Sequence, residues 1–209
     1  PEAGHQDRHW LGTFSYGYTK MAFEAAEMGN FEKEIFILPS CNHYSEYAGL
    51  RNEMLIKYGT PISLKPYYEL YKTKPRTAQR EVNTLVREQI NSLMLNIQDA
   101  ENYDAIDAIR QGEYGIIYAK NQNFDPTQLP QKLESDKKLV AALDAAKESN
   151  PDAVQSIYER ARNIYGDLKK EGIDESALTQ TPGVGNLLVQ IAVVAFLFPL
   201  AVFSLWPAL

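Results

Sequence analysis

The sequence predicts an α/β layer, then a helical extension, then a C-terminal membrane helix. Three observations carry this. Helix-forming and strand-forming runs alternate through residues 18–59, the order expected of an α/β unit rather than a helical bundle. Apolar residues then recur at spacings of three and four over residues 82–97, which gives a helix one apolar face. Finally, no Asp, Glu, Lys or Arg appears after Glu175.

Each element has a local cause. Residues 18–28, YTKMAFEAAEM, are rich in helix formers, and Gly29-Asn30 accept the left-handed conformation that ends a helix. Residues 34–39, EIFILP, form a short isoleucine-rich run closed by a proline, as a strand buried inside a sheet would be. A second strand is expected at 53–59, EMLIKYG, running into the turn signal Gly59-Thr60-Pro61. Beyond Pro75, Val82, Leu85, Val86, Ile90, Leu93 and Ile97 mark an amphipathic helix. Residues 100–175 continue as helices: Asp99 and Glu101 suit a helix front, 136–149 is a compact helical run, and Pro151 fits a first turn. Residues 121–130, NQNFDPTQLP, form a polar linker between them. Residues 187–209, LLVQIAVVAFLFPLAVFSLWPAL, match the ~20 apolar residues that cross ~30 Å of hydrocarbon as a helix. The expected domains are therefore 1–112, an α/β unit; 113–180, a helical extension; and 187–209, a transmembrane segment. The opening Pro1 and the apolar run reaching Leu209 suggest a chain cut at both ends.

Composition narrows the function. A formal net charge of −6 without a basic stripe argues against nucleic acid as a partner, since that binding depends on Lys and Arg neutralising phosphates. One cysteine, Cys41, excludes an internal disulfide. His5, Asp7 and His9 alternate, so on a strand they would share a face fit for a metal ion, although a loop held by hydrogen bonds explains them as well. Cys41 and His43 admit a thiol and base, or simply a packed cysteine near a strand end. Tyr67, Tyr68 and Tyr71 read as packing residues or as side chains near lipid headgroups.

Taken in order, several blocks resemble the glycerolphosphate and lysophospholipid acyltransferases. Pro1-Glu2-Ala3-Gly4-His5 is similar to that family's Phe-Pro-Glu-Gly-Thr-Arg block. Phe14-Ser15-Tyr16-Gly17, the helix with Lys20-Met21-Ala22, Ile37-Leu38-Pro39 at a strand end, and Tyr58-Gly59-Thr60-Pro61-Ile62 follow as in the family. The resemblance covers roughly the first half of the chain. It implies the C-terminal half of a glycerolphosphate-acyltransferase-type fold and transfer of a fatty acyl group from a thioester donor, acyl-CoA or acyl-carrier protein, to a lysophospholipid or glycerolphosphate-type acceptor.

By the same resemblance Glu2 contacts a hydroxyl of the acceptor, Gly4 lets the backbone approach closely, and Pro39 lines the floor of the site. His5 stands where the family carries a phosphate-binding arginine, and a neutral imidazole cannot make the forked contact, so a phosphate acceptor implies either a protonated His5 or Arg8 reaching in. Ala3 replaces a common glycine. The family's catalytic His-X-X-X-X-Asp motif is absent: Trp10, Phe14 and Ala48 lie five residues after His5, His9 and His43. The piece alone is therefore expected to be inactive, with no catalytic residue, metal or cofactor of its own. The expected location is the bacterial inner membrane, with Lys169 and Lys170 hinting at a cytoplasmic helical part. Two other classes remain open: a membrane-tethered interaction protein whose segment 77–99 docks a partner, and a metal-dependent hydrolase built on His5, Asp7 and His9.

Overall fold

The computed structural model describes residues 8–45 and 53–172; residues 1–7, 46–52 and 173–209 lie outside the described residues. The chain divides into two compact units, 1–162 and 163–209.

The described part of the first unit opens with a non-helical stretch, residues 8–14, bent at Arg8-His9, which leads into helix α1, Gly17–Met28. Thr19, Phe23 and Ala26 are its buried residues, spaced by four and three as one helical face requires. Its end is more demanding than the sequence implies. Gly29 keeps a negative φ of −93°, and the left-handed positions are Asn30 (φ 50°) and Phe31 (φ 59°). A phenylalanine resists that conformation. Here the Phe31 N–H donates to the Ala26 carbonyl at 2.8 Å, and the ring packs 5.1 Å from Tyr68 and 6.4 Å from Tyr71.

Among the described residues four short strands follow: β1 (Phe36–Ile37), β2 (Ser40–Tyr44), β3 (Met54–Tyr58) and β4 (Ile62–Ser63). β1 pairs with β4 and β2 with β3, both antiparallel. Ser40 opposes Tyr58 while Ile37 opposes Ile62, so Leu38-Pro39 face Gly59-Thr60-Pro61. The extra residue is a bulge that bends one ribbon into two pieces. The Gly59 N–H closes it by donating to the Pro39 carbonyl at 2.8 Å. A Cβ at Gly59 would stand 2.5 Å from Gln89 Oε1, so a side chain there would make the Gln89 amide move aside.

This ribbon corrects the expectation of a buried strand at 34–39. Side chains alternate along it: Pro39 and His43 are buried on the inward side, whereas Phe36, Leu38, Met54, Ile56 and Tyr58 are exposed. Strand Ser40–Tyr44, polar in sequence, is an addition to the expected set.

After a 3-10 turn at Lys65–Tyr67 come α2 (Tyr68–Thr73) and α3 (Pro75–Leu93). Ala78, Val82, Val86 and Ile90 form a buried stripe at four-residue spacing. They share one core with Phe23, Leu64, Tyr68 and Tyr71, and Phe23 stacks on Tyr71 at 4.4 Å. The tyrosines Tyr68 and Tyr71 are thus packing residues. Leu95 and Ile97 carry the chain on in buried, non-helical form. Ile97 N–H donates to the His9 carbonyl at 2.8 Å and Leu11 N–H to Asn96 Oδ1 at 3.0 Å, which fastens the opening stretch to this segment.

Helices α4 (Tyr103–Gln111), α5 (Glu113–Asn121), α6 (Leu129–Ser149) and α7 (Pro151–Glu171) complete the described chain. Asp99 precedes the first of these: its carboxylate accepts from the Asn102 backbone N–H at 3.1 Å and from the Asn102 amide at 2.8 Å. Proline in the first turn starts both α6 and α7. In the second unit the described residues are the last turns of α7, ending at Gly172 with φ 63°. The chain is therefore a helix-rich mixture of α and β structure. Among the described residues no helix is long and apolar enough to cross a membrane; the apolar run 187–209 lies outside them.

Candidate functional site

A group of ionisable side chains is buried where four parts of the first unit meet. His9 comes from the opening stretch, His43 from β2, Asp107 and Arg110 from α4, and Lys132 and Asp136 from α6. The spacings explain how each helix delivers two groups: residues three apart (107 and 110) or four apart (132 and 136) share a helical face.

Arg110, 7% exposed, is the centre. Its Nε donates to Asp107 Oδ1 at 2.7 Å and NH1 donates to Asp136 Oδ2 at 3.0 Å. NH2 reaches His9 Nε2 at 2.7 Å. An arginine can only donate, so His9 Nε2 is the acceptor and its ring proton sits on Nδ1. Lys132 Nζ donates to Asp136 Oδ1 and, at 2.8 Å, to the Arg110 backbone carbonyl. Two cations therefore balance two carboxylates. Pairing with satisfied hydrogen bonds is what makes such burial tolerable.

The two imidazoles are neutral at physiological pH. Burial, reinforced by Arg110, His43 and Lys132, pushes His9 down to about 3. Burial and Arg110 push His43 down to about 4, against an opposing pull from Asp136. Their rings lie 5.6 Å apart. Lys132 is also lowered, chiefly by burial. His9 is held by its backbone too: its N–H donates to the Tyr103 hydroxyl at 2.7 Å. Beside this group opens a cleft of about 250 Å³, lined by His43, Ser45, Glu53, Arg110, Lys132 and Asp136 among others. Lys57 Nζ to Glu134 at 2.5 Å ties β3 to α6 along its side.

Of the residues singled out in sequence, Glu2, Ala3, Gly4, His5 and Asp7 lie outside the described residues. Arg8 is half-exposed, 3.9 Å from Asp104 Oδ1 and 5.0 Å from the Tyr103 ring centroid. Pro39 is buried at the bulge. Among the described residues no group of three or more His, Cys, Asp and Glu is arranged to hold a metal ion. His9 in particular points Nε2 at a guanidinium, a poor arrangement for a ligand. Cys41 is half-buried, its thiol 3.6 Å from the Asn42 carbonyl. The segment expected to dock a partner buries Val82, Val86 and Ile90 in the chain's own core.

Arg110, Lys132 and Asp136 were missed from sequence, although one signal was there. Asp136 interrupts the apolar stripe of α6 at the turn between Leu133 and Leu139-Val140. A carboxylate on a core face needs a buried partner. Compared with family models, with curated proteins and with solved structures, the chain shows no match.

Proposed function

We propose that this chain forms the acceptor-binding part of a membrane-associated acyltransferase, whose parent protein also carries a His-X-X-X-X-Asp motif. One observation carries the reading. The two strand-end blocks that resemble the acyltransferases, Ile37-Leu38-Pro39 and Gly59-Thr60-Pro61, are twenty residues apart in sequence, yet they face each other across the bulge and share the Gly59-to-Pro39 hydrogen bond. His9, four residues beyond the Pro-Glu block, has its ring 5.6 Å from that of His43 on the strand that leaves Pro39.

In this reading Glu2 accepts a hydrogen bond from an acceptor hydroxyl, Gly4 admits the acceptor close to the backbone, and His5 or Arg8 meets its charged end, with Pro39 as floor. The histidine of the parent motif takes the proton of the attacking hydroxyl. The new C–O ester bond forms at the thioester carbonyl, the C–S bond breaks, and the thiol leaves with a proton. No cofactor is needed beyond the thioester donor. The apolar run 187–209 supports the reading, since an enzyme tethered to the bilayer gains effective concentration toward a lipid acceptor.

The test is acyl transfer by the product of the gene extended upstream of Pro1. Labelled acyl thioester and a lysophospholipid in mixed micelles are expected to give diacyl product, and the 209-residue chain alone none. An upstream sequence encoding no His-X-X-X-X-Asp motif, or an extended protein without transfer to any lysophospholipid or glycerolphosphate, overturns the proposal.

A further inference from the structure

We propose that the cleft between β2, α4 and α6 binds a phosphate monoester, held by Arg110 and Lys132 with His43 as a proton-linked third partner. The cleft's size sets the class of ligand first. About 250 Å³ lies below the ~300–1,000 Å³ that takes drug-sized molecules, so it suits a small head group and not an acyl chain.

The balance of donors and acceptors then sets the sign. Both oxygens of Asp136 already accept, one from Lys132 and one from Arg110. Arg110 and Lys132 together carry more N–H groups than the acceptors they meet here, namely Asp107, Asp136, His9 Nε2 and the Arg110 carbonyl. With Asp136 saturated, the surplus N–H groups of Arg110 and Lys132 favour an anion, against the Glu53 carboxylate that also lines the cleft. Guanidinium and ammonium side by side are the donors suited to phosphate oxygens.

The formal charge of the buried set is zero, so a dianion gains more if a further positive charge appears. His43 lines the cleft and supplies it by taking up a proton. The charged groups facing it are Arg110 from α4, Lys132 and Asp136 from α6, and Glu53 and Lys57 from the β3 side, with the neutral ring of His9 beside it. Burial and Arg110 hold this imidazole neutral in the empty cleft. A phosphate beside it reverses that field. His43 therefore takes up a proton as the dianion binds.

For the identity of the phosphate's carrier the proposal rests on the acyl-transfer reading: Arg110 and Lys132 join His5 or Arg8 in meeting the acceptor's charged end. The same chemistry fits a lysophospholipid head group or a free phosphate ester. The 209-residue chain, labelled at histidine nitrogen and held in neutral detergent, is titrated with inorganic phosphate, with glycerol 3-phosphate, and with phosphatidylcholine vesicles with and without lysophosphatidate. The expected result is a saturable shift of the His43 resonance and a rise of its midpoint toward neutrality, with Lys132→Met weakening the effect by about tenfold or more. A response to the vesicles doped with lysophosphatidate supports a lipid source, and a response to the soluble esters alone supports a free phosphate. Absence of a shift in the unsubstituted chain at about 10 mM phosphate, well above a ~1 mM Kd, overturns the site whether or not the variant folds. So does an equal shift in folded Lys132→Met.

Failure here with acyl transfer intact in the extended protein removes the site and leaves the functional reading. Phosphate bound here without acyl transfer there does the reverse.

Discussion

Gly115 offers the sharpest test of how the buried site is built. It is buried in the first turn of α5, and a Cβ added to it would lie 2.0 Å from the Arg110 carbonyl oxygen and 2.6 Å from the carbonyl carbon. Ordinary contacts begin at 3.4 Å, and the obstruction is backbone, so α4 and α5 must part. Overpacking of this kind costs about 1–3 kcal/mol. The same carbonyl accepts from Lys132 Nζ at 2.8 Å, and disturbing a hydrogen bond to a charged group adds about 1.5–3 kcal/mol. Alanine's better helix propensity offsets about 1 kcal/mol. Gly115→Ala is therefore expected to lose about 1.5–5 kcal/mol, a fall in Tm of roughly 3–20 °C for a chain of this size. Urea unfolding followed by circular dichroism measures it. A variant within about 0.5 kcal/mol of the parent, the range of a surface substitution, refutes the packing argument.

Three further outcomes follow from the same site. Both imidazoles have folded pKa values below 6.5, so the unfolded chain binds more protons once pH falls below that value. Stability should be fully present above pH 6.5 and fall toward pH 4, by up to about 1.4 kcal/mol per pH unit for each histidine; a flat urea midpoint between pH 7 and 5 contradicts the burial of neutral rings. Asp136→Asn strips a buried charge from Arg110 and Lys132 and should cost about 3–5 kcal/mol. It also removes the one group that raises His43, so the His43 midpoint should drop further, and a rise would contradict the field described. Tyr103→Phe leaves the buried His9 N–H without its hydroxyl acceptor, at about 1–3 kcal/mol, and hydrogen exchange at His9 should quicken; unchanged exchange counts against the anchoring of the opening stretch.

Much of the fold was legible because it follows from local rules. The stripe on α3 and the proline start of α7 lie where spacing and capping put them, whereas α6 starts at Leu129, so Pro130, read as the end of the polar linker, is in its first turn. The ribbon was harder. EIFILP looks buried, but Phe36 and Leu38 are exposed because, among the described residues, two strands pair and nothing is layered on one face. β2 was invisible because SCNHY has no apolar alternation and is held by its register with β3. The site was illegible for a different reason: Arg110 and His9 are about a hundred residues apart, and no local pattern reports a contact made by the packing of α4 against the opening stretch.

The claim on which the functional account depends is that the Pro-Glu block walls the acceptor site. Substituting Glu2→Ala in the extended protein and measuring acyl transfer against lysophospholipid concentration tests it most directly. Loss of a hydrogen bond to a charged group, about 1.5–3 kcal/mol, predicts a fall in kcat/KM for the acceptor of about ten- to a hundredfold, with the KM for the thioester donor unmoved. Unchanged acceptor kinetics would remove Glu2 from the site and contradict the account.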